Sequence, residues 1–248
     1  IALAQNFPRV VVLELDTEYP SPGAGRNLGW KTGSAPLVQF IDSDTELHED
    51  WLVAAASFLK ENSEVAAVRG NRVERNPDAS IYNWIADQEW NAPPGECSDF
   101  GGDVLIRREV LERTEGYDEI LVGGEDPELS RRVRKSKESP NQIHQLDVEM
   151  TNHDMSMFRV RQYWKRGYRT GYGFAAVLDR HPETCDGFWK TEYRRILVRG
   201  GVAPILFLAG LIGGLFWWPI WIVCALGLGL VFFPRLLRVD YFAKSKNL

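Results

Sequence analysis

The stretch from Gly200 to Phe233 constrains the fold more than any other part of this 248-residue chain, because it contains no charged residue. About 20 consecutive apolar residues are enough for a helix to cross the hydrocarbon core of a bilayer. A helix buried in the core of a soluble domain rarely runs this long. We therefore predict a transmembrane helical segment over residues 202–233.

The topology of this segment is left open by the sequence, because Gly213, Gly214 and Pro219 interrupt its middle. Basic residues flank both of its ends: Arg194, Arg195 and Arg199 before it, and Arg235, Arg238, Lys244 and Lys246 after it. Positive charge on both sides favours a hairpin with both ends in the cytoplasm. One long tilted helix is the alternative.

Charge divides the chain into an acidic front and a basic back. Residues 1–154 carry 15 Lys and Arg against 29 Asp and Glu, a net charge of −14, whereas residues 155–248 carry 14 against 5, a net charge of +9. The acidic part argues against a nucleic-acid partner. Three cysteines without CxxC spacing indicate neither a zinc cluster nor a disulfide framework.

Strand-like and helix-like segments alternate over the first 150 residues. Predicted strands cover Arg9–Leu15, Leu37–Ile41, Glu64–Val73, Val104–Arg107 and Gln142–Met150. Predicted helices begin near Ala24 and cover Glu49–Asn62, Ala79–Trp90, Glu109–Thr114 and Pro127–Lys135. This alternation predicts an α/β domain over residues 1–180, with a mostly parallel sheet flanked by helices. An amphipathic linker (181–201) joins it to the transmembrane segment, and a basic cytoplasmic tail (234–248) follows.

Two aspartates, Asp42 and Asp44, directly follow the second predicted strand. Ligands of α/β sheets bind beyond the carboxyl ends of strands. Side chains two residues apart in an extended stretch point the same way, so these carboxylates are expected to converge. A hard divalent cation would relieve their repulsion, and Mg²⁺ binds through one or two carboxylates plus substrate phosphates. The alternative is a solvated turn in which an aspartate caps the next helix.

Four ordered motifs resemble those of the family 2 glycosyltransferases, which have the GT-A fold. They are Arg26-Asn27-x-Gly29 with Asp42-x-Asp44, Gly101-Gly102 with Arg107-Arg108-x-x-Leu111, Gly116-Tyr117-Asp118-Glu119, and Gly124-Glu125-Asp126-x-x-Leu129-x-x-Arg132. The resemblance covers residues 9–173. It implies a metal-dependent enzyme that moves a sugar from a UDP-, GDP- or dTDP-sugar donor to an acceptor hydroxyl.

The resemblance implies specific roles for individual residues. Asp42 and Asp44 would hold Mn²⁺ or Mg²⁺ on the donor diphosphate, and His153 would be a third metal ligand or a diphosphate contact. Donor-binding roles are implied for five further residues: Arg26, Asn27, Gly101, Gly102 and Asp103. The alternatives are a surface helix start at Arg26 and Asn27, a plain tight turn at the glycines, and a hydrogen-bonded loop residue at His153.

The resemblance implies that Asp126 is the general base for the acceptor hydroxyl and that Glu125 orients the acceptor or the loop. Because Asp126 precedes Pro127, an ordinary helix N-cap is the alternative.

The segment Phe158–Arg169 interleaves aromatic and basic side chains. Such a segment can bind nucleic acid or lie on an anionic membrane surface, and the apolar segment downstream favours the membrane. It can also contact a diphosphate or a phosphorylated acceptor. It does not match the Gln-x-x-Arg-Trp signature of processive synthases, so we predict transfer of one sugar per encounter.

Family members usually begin with a further strand and turn that hold the nucleoside base, and no such segment precedes Ile1 in this sequence. Either a strand–helix–strand unit is missing here or the base is held otherwise.

The sequence therefore predicts an inverting, non-processive glycosyltransferase anchored in the cell (inner) membrane with its catalytic domain in the cytoplasm. Its acceptor is expected to be a lipid-linked sugar or a polysaccharide. The rival is a non-catalytic membrane protein whose GT-A-like domain binds a sugar or a partner. A nucleotidyltransferase is disfavoured because no Gly-rich phosphate loop opens the chain.

Overall fold

A computed structural model describes residues 7–90, 93–181, 189–217 and 220–229. The chain divides into two compact units, residues 1–177 and 178–248. The predicted tail (234–248), the last four residues of the predicted transmembrane segment and residues 182–188 of the predicted linker lie outside the described residues.

The first unit contains a six-stranded mixed sheet in the order β1-β5-β3-β6-β2, with β4 pairing with β6. The strands are β1 (Leu37–Phe40), β2 (Thr45–Leu47), β3 (Val65–Glu74), β4 (Gly95–Glu96), β5 (Val104–Arg107) and β6 (Gln142–His153). β3 and β6 pair in parallel, and the other described pairings are antiparallel.

The α/β class is confirmed, but the sheet is mixed rather than mostly parallel. The reason is that β5 lies between β1 and β3 and runs opposite to both. β1, β3 and β6 nevertheless run in the same direction, so their carboxyl ends meet at one edge of the sheet.

Among the described residues this unit contains the α-helices α1 (Pro22–Thr32), α2 (Trp51–Glu61), α3 (Ile81–Glu89), α4 (Arg108–Thr114) and α5 (Glu125–Lys135) and most of α6 (Val160–Arg180). α1 begins after Ser21, whose hydroxyl accepts a hydrogen bond from the Ala24 amide at 3.0 Å, a standard N-cap. α2 buries Trp51, Ala55 and Leu59 along one stripe, as its periodicity predicts.

Apolar side chains form two separate clusters against the sheet. One includes Leu111 of α4 and Leu129 of α5, and the other includes Trp51 of α2. Neighbouring sheet residues divide between them, because Ala67 joins the first cluster and Val68 the second. Successive side chains of a strand point to opposite faces, so this unit has the layered arrangement expected of an α/β fold.

The prediction of a strand over Arg9–Leu15 is wrong. Residues 10–15 have no regular structure, and Val10 to Leu13 are between 40% and 73% exposed. A β-branched run favours a pleated, half-buried surface, but no described strand pairs with these residues. β6 is also three residues longer than predicted, so that His153 ends the strand instead of following it.

In the second unit, α7 (Lys190–Ile196), a π-helical stretch (Leu197–Val202) and α8 (Ala203–Gly214) form one continuous helix. Its part from Tyr193 to Gly214 is long and apolar enough to cross a membrane, judged by length and composition alone, with a mean hydropathy of 2.0.

Residues 221–229 are helical and lie antiparallel to α8. A Cβ on Gly210 would lie 2.5 Å from Cys224 Sγ, and one on Gly227 would lie 3.2 Å from the Phe207 amide nitrogen. Glycines at such contacts allow two helices to approach closely. The described part of the segment therefore folds back as a helical hairpin, while membrane insertion stays a prediction.

Candidate active site

A cleft of about 870 Å³ opens in the first unit at the edge of the sheet where β1, β3 and β6 end. The titratable residues that line it come from distant parts of the sequence: Arg26, Asp42, Asp44, Arg72, Glu125, Asp126, His153, Lys165, Arg166 and Arg169. Seven of the site residues predicted from the sequence line this cleft: Arg26, Asp42, Asp44, Gly102, Glu125, Asp126 and His153.

The guanidinium of Arg26 connects the two predicted halves of the site. Its Nη2 donates to Asp42 Oδ1 at 2.8 Å, and its Nη1 donates to Glu125 Oε1 at 2.9 Å and lies 3.5 Å from Asp126 Oδ1. Burial lowers the pKa of Arg26, but the carboxylates of Asp126, Asp42 and Glu125 outweigh this effect and raise it. Arg26 is therefore a permanent cation shared by three carboxylates.

Asp42 is held in place by backbone contacts as well. Its amide donates to Asp103 Oδ1 at 2.8 Å, and its carbonyl accepts from the Thr45 hydroxyl at 2.8 Å. Residues 42–45 therefore form a turn, and the extended geometry expected for the aspartate pair is not formed. The two carboxylates consequently have different partners.

Asp44 lies beside His153, whereas Asp42 contacts Arg26. Asp44 Oδ1 is 3.4 Å from His153 Nε2, and the imidazole packs on Trp90 with ring centroids 4.7 Å apart. Burial lowers the pKa of His153 against the opposing effect of Asp44. The imidazole is therefore neutral at physiological pH and able to act as a metal ligand.

This pair fits a divalent cation, because carboxylate oxygen and neutral imidazole nitrogen are both ligands that Mn²⁺ accepts. Asp42 binds Arg26, and no three His, Cys, Asp or Glu side chains within the described ranges are grouped so that they could hold a metal ion. The three-ligand site of Asp42, Asp44 and His153 stays a prediction, and Asp44 with His153 is the part of it that the fold brings together.

Glu125 and Asp126 begin α5, two residues before the predicted helix start. Gly124 is the N-cap at φ 88° and no side chain caps the helix, so the N-cap alternative for Asp126 does not apply. The Asp126 side chain is 14% exposed. Burial raises its pKa to about 7, with Arg26 opposing the rise and Glu125 and Asp42 adding to it. A carboxylate with a pKa near 7 is well matched to accept a proton at neutral pH.

Two predicted donor-binding residues are buried away from the cleft. Asn27 donates to the Tyr117 carbonyl at 2.9 Å and to Glu119 Oε1 at 2.8 Å, which ties α1 to the Gly-Tyr-Asp-Glu motif. Asp103 has no exposed surface and accepts hydrogen bonds from the Asp42 amide and the Thr151 hydroxyl. Neither residue lines the cleft, and a donor-binding role for both stays a prediction.

Gly102, in the predicted glycine pair, leaves room for the Asp42 carboxylate. A Cβ on Gly102 would lie 2.4 Å from Asp42 Oδ2, so only glycine lets this carboxylate take its position. Gly101 has a φ of +66°, which favours glycine.

Sequence reasoning missed Arg72 and Glu74, which lie near the carboxyl end of β3. Arg72 Nη2 lies 2.9 Å from Asp103 Oδ2 and its guanidinium stacks over Trp90 at 5.6 Å. Glu74 is 2% exposed and accepts a hydrogen bond from the Met155 amide at 3.0 Å. Their position at the end of a predicted strand was the available signal, since ligand sites of α/β sheets lie there.

Fold and cleft together define an α/β protein with a cleft of charged side chains at the carboxyl ends of its strands. Residues 2–114 match the model of the family described as glycosyl transferase family 2. This match covers slightly less than half of the chain and agrees with the resemblance that the sequence motifs carry. The match includes Arg26, Asp42 and Asp44 and ends before Glu125, Asp126 and His153. No curated protein sequence matches the chain.

Solved structures similar to the chain include these two examples. TarS of S. aureus, residues 1–349 in complex with UDP-GlcNAc, is 17% identical with a TM-score of 0.47, and the match covers 79% of this chain and 65% of that one. Glucosyl-3-phosphoglycerate synthase of Mycobacterium tuberculosis, in complex with phosphoglyceric acid, is 17% identical with a TM-score of 0.42. This match covers 74% of this chain and 61% of that one. The chain thus spans less than two thirds of either structure.

Proposed function

We propose that this chain is a glycosyltransferase that moves one sugar per encounter from a nucleotide-sugar donor to an acceptor hydroxyl, with inversion at the anomeric carbon. The family match supports the class of reaction.

The observation that carries the proposal is the position of Arg26. One guanidinium contacts Asp42 of the predicted donor motif and Glu125 and Asp126 of the predicted base motif, at 2.8, 2.9 and 3.5 Å. The two motifs are more than 80 residues apart in the sequence. A donor-binding carboxylate and a base must share one cleft for a single displacement to occur.

The chemistry assigned to the residues is a direct displacement. Asp126 accepts the proton of the acceptor hydroxyl, whose oxygen forms a bond to the anomeric carbon. The bond from that carbon to the diphosphate oxygen breaks, and the nucleoside diphosphate leaves with the electron pair. Attack from the face opposite the leaving group inverts the configuration. The pKa of Asp126, near 7, suits this role.

Asp44 and His153 are the residues that would hold a Mn²⁺ or Mg²⁺ ion. A bound ion would stabilise, as a Lewis acid, the negative charge that develops on the departing diphosphate. Arg26 and Arg72 add fixed positive charge to the same cleft.

The acceptor is proposed to be a lipid-linked sugar or a polysaccharide, and the site of action the cytoplasmic face of the inner membrane. The support is the apolar helix Tyr193–Gly214, since a membrane anchor raises the effective concentration of a membrane-bound acceptor.

The experiment is release of nucleoside diphosphate from UDP-, GDP- and dTDP-sugars by the full chain in detergent, with Mn²⁺, with Mg²⁺ or with a chelator. Asp44→Ala tests the cation site. Glu46→Ala is the matched control, because this carboxylate lies two residues on, is 71% exposed and pairs with Arg75 outside the cleft.

We expect release with at least one donor, loss on chelation and in Asp44→Ala, and no change in Glu46→Ala. Activity that survives both chelation and Asp44→Ala would reject the cation mechanism. Release with no donor, despite a folded protein that binds nucleotide, would reject transfer and favour the non-catalytic alternative.

A further inference from the structure

Three cations of α6 line one wall of the cleft: Lys165, Arg166 and Arg169. Their spacing places Lys165 and Arg169 one turn apart on the same face of the helix. We call these three residues the α6 cationic face. The sequence favoured a membrane surface for the segment Phe158–Arg169 and left open a contact with a diphosphate or a phosphorylated acceptor; in the structure part of the segment lines the cleft.

This face forms no ion pair within the described chain. No described carboxylate lies within ion-pairing distance of Lys165, Arg166 or Arg169, whereas Arg26 and Arg72 pair with the aspartates Asp42 and Asp103. Desolvation lowers the pKa of Arg166, and the nearby Arg72 and Arg169 lower it further against the opposing effect of Glu89. Like charges that gather in a cleft repel one another, and a bound anion relieves that repulsion.

The position of the face relates it to the acceptor. α6 packs directly on the loop that leads into the predicted base. A Cβ on Gly123 would lie 3.6 Å from the Arg169 carbonyl oxygen, and one on Gly124 would lie 2.9 Å from the Gly173 carbonyl oxygen. The acceptor hydroxyl must come within hydrogen-bond reach of Asp126. Groups of the acceptor next to that hydroxyl therefore extend along α6.

We propose that the α6 cationic face binds a phosphate group of the acceptor, so that the acceptor is a phosphate-bearing alcohol or sugar. This inference rests on the proposed function and specifies the chemical class of its acceptor. Guanidinium groups bind phosphate in a bidentate manner and an ammonium adds a point charge. The phosphate would be fixed while the hydroxyl is presented to the base.

The test is equilibrium binding of radiolabelled sn-glycerol 3-phosphate to the full chain in detergent, without nucleotide or turnover. Lys165→Gln/Arg169→Gln removes two charges from the face. Arg159→Gln/Arg161→Gln is the matched control, because it removes the same charge near the start of the same helix from residues that do not line the cleft. Arg169→Lys tests whether charge alone suffices.

We expect the Lys165→Gln/Arg169→Gln variant to weaken phosphate-monoester binding at least tenfold and the control to change it less than twofold. Arg169→Lys should retain an intermediate affinity. Equal losses in the two double variants would overturn the proposal, because they would reveal only a diffuse charge effect. Absence of saturable binding by the wild type would also overturn it, as expected for a helix that merely lies on anionic lipid.

Binding of UDP in the presence of Mn²⁺ separates this site from the donor site. We expect UDP affinity to change less than twofold in Lys165→Gln/Arg169→Gln; an equal loss for UDP and the monoester would assign the face to the donor diphosphate and overturn the proposal. The source of the phosphate is distinguished by the binding of farnesyl phosphate in the same detergent, with farnesol as its phosphate-free counterpart. Tighter binding of farnesyl phosphate than of sn-glycerol 3-phosphate supports a lipid-linked acceptor, and equal binding of the two supports a soluble or polymeric one. Failure of sugar transfer would leave these binding results interpretable.

Discussion

The guanidinium of Arg26 and the carboxylate of Asp42 form an ion pair with Nη2 and Oδ1 2.8 Å apart and with the Arg26 side chain only 13% exposed. The same guanidinium reaches Glu125 and Asp126. Arg26 therefore fixes the distance between the strand-end motif and the start of α5, and its loss would leave three carboxylates without their shared cation.

Arg26→Met should lower the free energy of unfolding by about 3–5 kcal/mol at pH 8, as expected when one partner of a buried ion pair is removed. The loss should be smaller at pH 5, where a carboxylate can take up a proton instead. Chemical denaturation at both pH values measures this. Lys31→Met, on the same helix and 54% exposed at its ion pair with Glu119, is the control and should cost less than about 1 kcal/mol. Equal effects of the two substitutions would reject a special role for Arg26.

The raised pKa of Asp126 predicts how stability depends on pH. Burial raises this pKa to about 7 in the folded chain, whereas the pKa of an aspartate in an unfolded chain is about 3.9. Between these values the folded state binds a proton that the unfolded state lacks, so this group lowers stability as pH rises from about 4 to 7. Asp126→Asn should therefore raise the thermal midpoint of the nucleotide-free protein at pH 8 and have much less effect at pH 4. A lower midpoint at pH 8 than that of the wild type would contradict the assignment.

Contact between α6 and the loop before α5 predicts that Gly173 is needed for activity. A Cβ on Gly173 would lie 3.0 Å from the Gly124 amide nitrogen, so alanine must displace the loop that carries Asp126. Gly173→Ala should lower the free energy of unfolding by about 1–3 kcal/mol and reduce sugar transfer at least tenfold. Gly171→Ala is the matched control, because nothing lies within 4 Å of its added Cβ, and it should stabilise the helix by up to about 1 kcal/mol. Full transfer by a folded Gly173→Ala variant would refute this reasoning.

Gly102 should matter for transfer more than for stability. A Cβ there would meet the end of the Asp42 side chain at 2.4 Å, which can rotate away and break its contact with Arg26. Gly102→Ala should thus cost less than about 2 kcal/mol of unfolding free energy yet weaken donor turnover at least tenfold. Gly29→Ala, which places its Cβ in open space on α1, should leave turnover unchanged. The idea is untenable if both alanines give wild-type turnover.

Short-range patterns in the sequence predicted most of the elements, because helix periodicity and buried β-branched runs are local. Val104–Arg107 was predicted with its observed bounds, and α2 within two residues at each end. Strand direction is not encoded locally, and the antiparallel insertion of β5 between β1 and β3 was missed for that reason. Arg9–Leu15 shows the same limit, since a strand requires a partner that the segment itself does not specify.

The candidate site was predicted as a set of motifs, whereas its internal contacts depend on tertiary packing. Proximity of Arg26 to Asp126 arises because the tertiary fold brings α1 and the start of α5 to the same cleft, and no sequence spacing reveals it. Asn27 belongs to the same motif as Arg26 but points into the interior, where it binds the Tyr117 carbonyl. Arg72 was not assigned to the cleft because it belongs to no motif with a known spacing, and Lys165 was assigned only as part of a segment with three alternative roles.

The central claim is that Asp126 removes the proton of the acceptor hydroxyl. The most direct measurement is the rate of sugar transfer by Asp126→Asn and by the wild type, with UDP affinity determined for both in the presence of Mn²⁺. We predict a loss of about 10²–10⁴-fold in transfer with UDP affinity unchanged within twofold. Wild-type transfer by a folded Asp126→Asn variant would contradict the account.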